Sequence, residues 1–274
     1  MVQPVGFVSS FGGREIHWRE RPGEDPPVVL MAGCGLSMEY WREVAQQMGG
    51  TRVVAFDRPG MGGTTWPGHL PTLDEEVATL VDLITDRGGE AILVAHSMAS
   101  FHAEALTRVH PELVRAVIMI DGSCEWYPKA PRKPSARVAS GVLALVMNLR
   151  LGRLGEYGWR LGAWMQSNRE FARLGRGRLP SIYRDHNALT MAVGESMSYE
   201  EQAWDLMSYR DAGAWPDIPT FVLTADSSGG ERWIEQQARY AELLNAQQIV
   251  VEQSRHLMML DRPEVIASAV RSCL

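Results

Sequence analysis

Apolar positions along this chain come in short unbroken runs separated by longer stretches with helical spacing. Val28–Met31, Val53–Phe56, Ile92–Ala95, Val117–Ile120, Phe221–Leu223 and Ile249–Val251 are each too brief for a helix. None alternates apolar with polar residues, which is the pattern of strands in a parallel sheet. Two further strands, about Val5–Ser9 and Glu15–Arg19, flank Gly12-Gly13 and predict a hairpin. Between the runs, helices are predicted from about Ser37 to Gln47, from the Thr72/Glu75 capping pair to Asp86, through Phe101–Leu106, from Glu231 to Leu244, and after Asp261-Arg262-Pro263. In this reading Asp261 caps the final helix, and Val265, Ile266, Ala269 and Val270 form its buried face. Alternating strands and helices give an α/β fold with a mostly parallel, twisted sheet covered on both faces.

The alternation stops between Gly122 and Trp215. That stretch is helix-prone (Ser135–Leu149, Tyr157–Leu174, Glu195–Asp211) and punctuated by Pro131, Pro134, Gly175 to Gly177 and Pro180. It reads as a helical cap inserted after the sixth strand, residues 122–216, with the core formed by 1–121 and 217–274. The 274 residues are enough to bury a substantial core. A formal net charge of −6 without any Lys/Arg run argues against nucleic acid as a partner. Three scattered cysteines, Cys34, Cys124 and Cys273, fit free thiols. The longest apolar run, Val138–Leu149, is too short to span a bilayer, and Met1–Gly6 lacks the features of a secretion signal. The expectation is a cytoplasmic monomer or homodimer without stable membrane insertion, metal or organic cofactor.

Candidate chemistry begins at Ala95-His96-Ser97-Met98-Ala99. A buried strand here breaks into a helix with a serine at the corner, and small residues two positions to either side let strand and helix approach. Such a turn lifts the hydroxyl out of the sheet and aims a helix N-terminus at whatever the serine attacks. Alanines stand where the usual G-x-S-x-G pattern has glycines. Strand ends in an open α/β sheet converge on one edge, which gathers Ser97, Asp121 after Ile120, and His256 just beyond the last strand. Serine needs a base for its proton and a carboxylate to orient that base.

Four motifs occur in order: Ala32-Gly33-Cys34-Gly35 after a strand, Asp57-Arg58-Pro59-Gly60-Met61-Gly62, the serine corner, and the late Ser254-Arg255-His256. Together they resemble the α/β-hydrolase superfamily over nearly the whole chain. The resemblance implies Ser97 as nucleophile, His256 as base and an oxyanion hole from the backbone N–H groups of Met98 and Cys34. It leaves two aspartates for the acid: Asp121, after the sixth strand, is the first choice and Asp226, near the vacant slot at Ser228, the alternate. His96 is assigned no proton transfer, Asp57 and Arg58 are scaffolding, and Cys34 is a half-buried thiol. Ser97 sets the chain apart from haloalkane dehalogenases and epoxide hydrolases, which attack with a carboxylate.

The expected reaction is cleavage of a carboxylic ester or related acyl bond through an acyl-enzyme. Trp126, Met147, Trp159, Trp164, Met165, Met191, Met197, Trp204 and Met207 suggest apolar walls for a small acyl or aromatic substrate. Carbon–carbon bond hydrolysis, lactone opening, cyanohydrin cleavage and natural-product tailoring are alternatives for the same residues. A ligand-binding protein without catalysis is the alternative of another class.

Overall fold

The computed structural model describes residues 5–130 and 136–274. Its eight strands are β1 (Val5–Phe11), β2 (Arg14–Arg21), β3 (Glu24–Met31), β4 (Thr51–Asp57), β5 (Ala91–His96), β6 (Val114–Ile120), β7 (Thr220–Ala225) and β8 (Gln247–Val251). They form one sheet in the order β1-β2-β4-β3-β5-β6-β7-β8. The hairpin β1–β2 and the β2–β4 pair are antiparallel, and all remaining neighbours are parallel. The α/β class with a mostly parallel sheet is therefore the observed one.

Alternation along the strands divides the core in two. Val29, Met31, Leu93, Ala95, Val117 and Met119 face one cluster, which includes residues of the helices Leu73–Asp86, Ala99–Val109 and Gly230–Leu243. Val28, Leu30, Ile92, Val94, Ile118 and Ile120 face the other, with Tyr40, Trp41 and residues of Pro263–Arg271. Since every side chain of β5 is buried, no position on it tolerates a solvated polar group. That is why the run Ile92–Ala95 carries none.

Between β6 and β7 lie the helices Ala136–Leu149, Arg153–Met165, Phe171–Leu174, Leu179–Ile182 and His186–Ala212. Two expected boundaries differ. The segment predicted as one helix over Tyr157–Leu174 breaks after Met165, where Ser167 and Asn168 bond Asp261 instead. The last helix begins nine residues before Glu195, capped by the Asp185 carboxylate on Asn187 N–H; burial of Ala188 and Met191 in the core carries these early turns despite weak helix formers such as Asn187 and Thr190. The expected helix over Ser37–Gln47 is a 3-10 turn, Met38–Trp41, continuing as Arg42–Gln47. Pro131, Pro134 and Ser135, which entered the sequence reading, lie outside the described residues.

Candidate active site

Ser97 sits at the corner between β5 and the helix Ala99–Val109 with φ of 54°. A left-handed backbone at a residue with a side chain is strained, and here bonds on both sides hold it. Ser97 N–H donates to the Ile120 carbonyl, while its own carbonyl accepts from the N–H groups of Ser100 and Ser123. Ala95 and Ala99 are fully buried beside it. Gly33 explains the demand for small neighbours more sharply. A Cβ there would stand 2.9 Å from Ser97 Cβ and 2.7 Å from His96 Nδ1, so only glycine lets the loop after β3 approach the corner.

His256 comes from the loop after β8. Its Nε2 lies 3.0 Å from Ser97 Oγ and its Nδ1 lies 2.7 Å from Asp121 Oδ2. These partners fix the tautomer: Nδ1–H donates to the carboxylate and Nε2 accepts from the hydroxyl. Asp121, at φ 45° past the end of β6, is fully buried. Burial alone would raise its pKa, but the bond from His256, then those from Ser228 Oγ (2.6 Å) and Trp233 Nε1 (2.6 Å), hold it below the usual carboxylate range. Ala225 N–H adds a further donor at 3.1 Å. The carboxylate is thus kept ionised and aimed at the imidazole. Asp226 is placed elsewhere: its carboxylate accepts from Ser227 Oγ and from the N–H groups of Gln253 and Ser254, organising the turn before His256.

The loop Ala32–Gly35 is fixed from both sides of the protein. Arg58 donates to the carbonyls of Ala32 and Gly33, and its Nε and Nη2 also meet the Glu195 carboxylate, contributed by the long helix His186–Ala212. Glu195 in turn accepts from Gly35 N–H. All three groups are buried, and although burial disfavours the charge on Arg58, Glu195 keeps it protonated. The Cys34 thiol pairs with Ser196 Oγ at 3.4 Å, and burial pushes it up to about 11, so little thiolate exists at neutral pH. Met98 follows Ser97 at the start of the helix and is buried.

The partners of several residues named in the sequence reading were not foreseen. His96 is wholly buried, and its Nε2–H donates to the His256 carbonyl at 2.9 Å. Burial, then the neighbouring imidazole, pushes it down to about 3, so it acts as a neutral donor that fixes the backbone of His256. Strand parity carries the clue: His96 follows Val94 on the face that also receives Leu257. Ser228 occupies the expected acid slot and serves Asp121 as a donor. Asp261 does not cap the final helix, whose N-cap is Arg262 without a side-chain bond. It accepts from Arg255 N–H on one oxygen and from Ser167 Oγ and Asn168 N–H on the other. Those bonds join the His256 loop to the helical segment, so the residue is pulled away from the cap position. Among the expected apolar walls, Met191 is buried and Trp159 stacks on Tyr183 at 4.6 Å, whereas Trp164, Met165 and Trp204 are exposed.

The profile of the Alpha/beta hydrolase family matches residues 28–269. A curated relative, the (E)-2-((N-methylformamido)methylene)succinate hydrolase of Acinetobacter baylyi, is 27% identical over 267 residues, covering 95% of this chain and 94% of that one. Among solved structures, Cfl2 of Burkholderia cenocepacia superposes with a TM-score of 0.77 at 18% identity, covering 97% of this chain and 94% of its own. A thermophilic esterase of Thermogutta terrifontis gives 0.69 at 20% identity, with 99% and 97% covered. At these identities the structural likeness speaks for the fold.

Proposed function

The chain belongs to the alpha/beta hydrolase family, and from that premise we propose that it is a serine hydrolase cleaving a carboxylic ester or related acyl bond of a small apolar substrate. The observation that carries this reading is the continuous hydrogen-bonded path from Ser97 Oγ through His256 to Asp121, 3.0 and 2.7 Å in its two steps. Ser97 attacks the acyl carbon while His256 Nε2 takes its proton. Asp121 stabilises the imidazolium by accepting from Nδ1–H. The N–H groups of Cys34 and Met98 bind the oxyanion, a contribution of about 3 kcal/mol per donor in comparable sites. His256 then protonates the leaving group, and on the return half-reaction it deprotonates the water that releases the acid. Residues 122–216 act as the cap over this edge, with 1–121 and 217–274 as the core.

A second reading draws on the Acinetobacter relative, whose name describes a formamide on a dicarboxylate. The same residues serve amide or enamide hydrolysis. The apolar substrate is favoured because both arginines of the motif loops are engaged within the protein, Arg58 with two carbonyls and Glu195 and Arg255 with the Met165 carbonyl. The test is fluorophosphonate labelling with mass-spectrometric mapping, followed by assay on p-nitrophenyl esters and on formamide dicarboxylates. Rapid labelling at Ser97, lost in His256→Ala, together with ester turnover is the expected result. A folded protein that neither labels nor turns over esters would overturn the reading.

A further inference from the structure

The helix Arg153–Met165 buries one face and leaves the other in water. Leu154, Tyr157, Leu161, Trp164 and Met165 recur at helical spacing as one stripe, and Leu154, Tyr157 and Met165 are 74%, 58% and 64% exposed. On the preceding helix, Val142, Leu145 and Leu149 repeat the pattern and are likewise exposed. Exposed stripes of large apolar residues on consecutive helices mark a surface that meets something. Residues 150–184 also carry eight arginines, no lysine and two glutamates, a surplus of six positive charges in a chain whose net charge is −6. The rest of the chain therefore bears −12.

The two features adjoin. Phe171 meets Tyr157 and Trp164 edge-on, with ring centroids 5.7 and 6.3 Å apart, and the same short helix turns Arg173 into a cleft of about 340 Å³. Arg42, Arg169, Arg173, Arg176 and Arg178 line this cleft against only Glu39 and Glu43. Arg169 pairs with Glu43, Arg178 with Glu39 and Arg173 with Glu170. Arg42 and Arg176 make no ion pair among the described residues.

We propose that this face docks on an anionic lipid bilayer, the apolar stripe entering the acyl boundary while the arginine cleft takes lipid phosphates. A basic surface with Trp, Tyr and Leu beside it suits an interface that is at once apolar and negatively charged. No helix among the described residues is long and apolar enough to cross a membrane, so the contact lies along the surface. A second copy fits less well, because a symmetric interface through this face opposes two surplus positive charges. The proposal does not rest on the hydrolase reading, and a Ser97→Ala protein binds as the wild type does.

The test is co-sedimentation with vesicles of phosphatidylglycerol and phosphatidylcholine against vesicles of phosphatidylcholine alone, at low and high salt. At roughly fivefold per unpaired arginine, Arg42 and Arg176 predict a preference of about 25-fold for anionic vesicles, reduced by salt. Arg42→Ala with Arg176→Ala lowers binding about 25-fold. Leu154→Ser with Trp164→Ser changes no charge and also weakens binding, by about tenfold or more. Thermal melting and sedimentation velocity accompany each variant. Absent binding, equal binding to both vesicles, or a dimer abolished by Leu154→Ser with Trp164→Ser would overturn the proposal, the last in favour of a second copy.

Discussion

Replacing Glu195 with glutamine keeps the size of the side chain and removes its charge. The carboxylate accepts from Arg58 Nε and Nη2 and from Gly35 N–H, all in a buried setting. Glutamine offers one acceptor oxygen and sets an NH2 against groups that are themselves donors. Removing one partner of a buried ion pair costs about 3–5 kcal/mol because the other charge stays behind without compensation. At roughly 2–4 °C per kcal/mol for a domain of this size, Tm falls by at least about 6 °C. The loop Ala32–Gly35 loses its tie to the long helix as well, and a displacement near 1 Å slows a positioned reaction about 100-fold. Urea unfolding gives the first quantity and the fluorophosphonate labelling rate the second. Arg58→Met with Glu195→Leu separates them: it removes both charges, recovering stability relative to Glu195→Gln. It does not recover labelling, since removing Arg58 takes the donor from the Ala32 and Gly33 carbonyls as well. A Glu195→Gln Tm within 2 °C of wild type, roughly 1 kcal/mol or less, would refute the reasoning, as would wild-type labelling in the double variant.

Asp121→Asn lowers the labelling rate on the order of 10⁴-fold, the scale seen when the acid of a Ser-His-Asp site is neutralised, whereas Asp226→Asn, which disturbs only the turn before His256, lowers it far less. Ser228→Ala removes a bond to a buried carboxylate and costs about 1.5–3 kcal/mol in chemical unfolding. Stability falls as pH drops below 6.5: burial pushes His102 down to about 4, so the unfolded chain takes up a proton that the folded one refuses. The slope from this residue approaches about 1.4 kcal/mol per pH unit, and denaturation of His102→Gln between pH 7 and 5 loses that share. The Cys34 thiol, pushed up to about 11, reacts slowly with a disulfide reagent at pH 8, in contrast to the denatured protein.

What could be read from the sequence depended on how local its cause is. Ile92–Ala95 and Val117–Ile120 announced buried strands because two-sided burial excludes polar residues from every position. Ser97, Asp121 and His256 were legible because strand ends in a parallel sheet converge on one edge. Arg58 was legible as scaffolding but its pairing with Glu195 was not, the two being 137 positions apart, and a buried pair leaves no periodic trace. Glu195 lay at an expected helix start, where acidic residues are ordinary. Asp261 had the look of a helix cap, directly before Arg262-Pro263, until Ser167 and Asn168 competed for its oxygens. His96 was half legible, since strand parity gives its face but not the carbonyl it meets.

Asp261 has a consequence for anyone who recombines segments among relatives to alter selectivity. Exchange at residues 122 and 216 treats the helical insertion as a free module. Yet Ser167 and Asn168 bond Asp261, Arg169 bonds the Leu260 carbonyl, and Leu257 N–H donates to Gln166. A transplanted insertion therefore needs residues 253–262 of its own parent, and a chimera made without them exchanges the helices while displacing the loop that carries His256. The inheritable unit is discontinuous, two stretches of chain that must travel together.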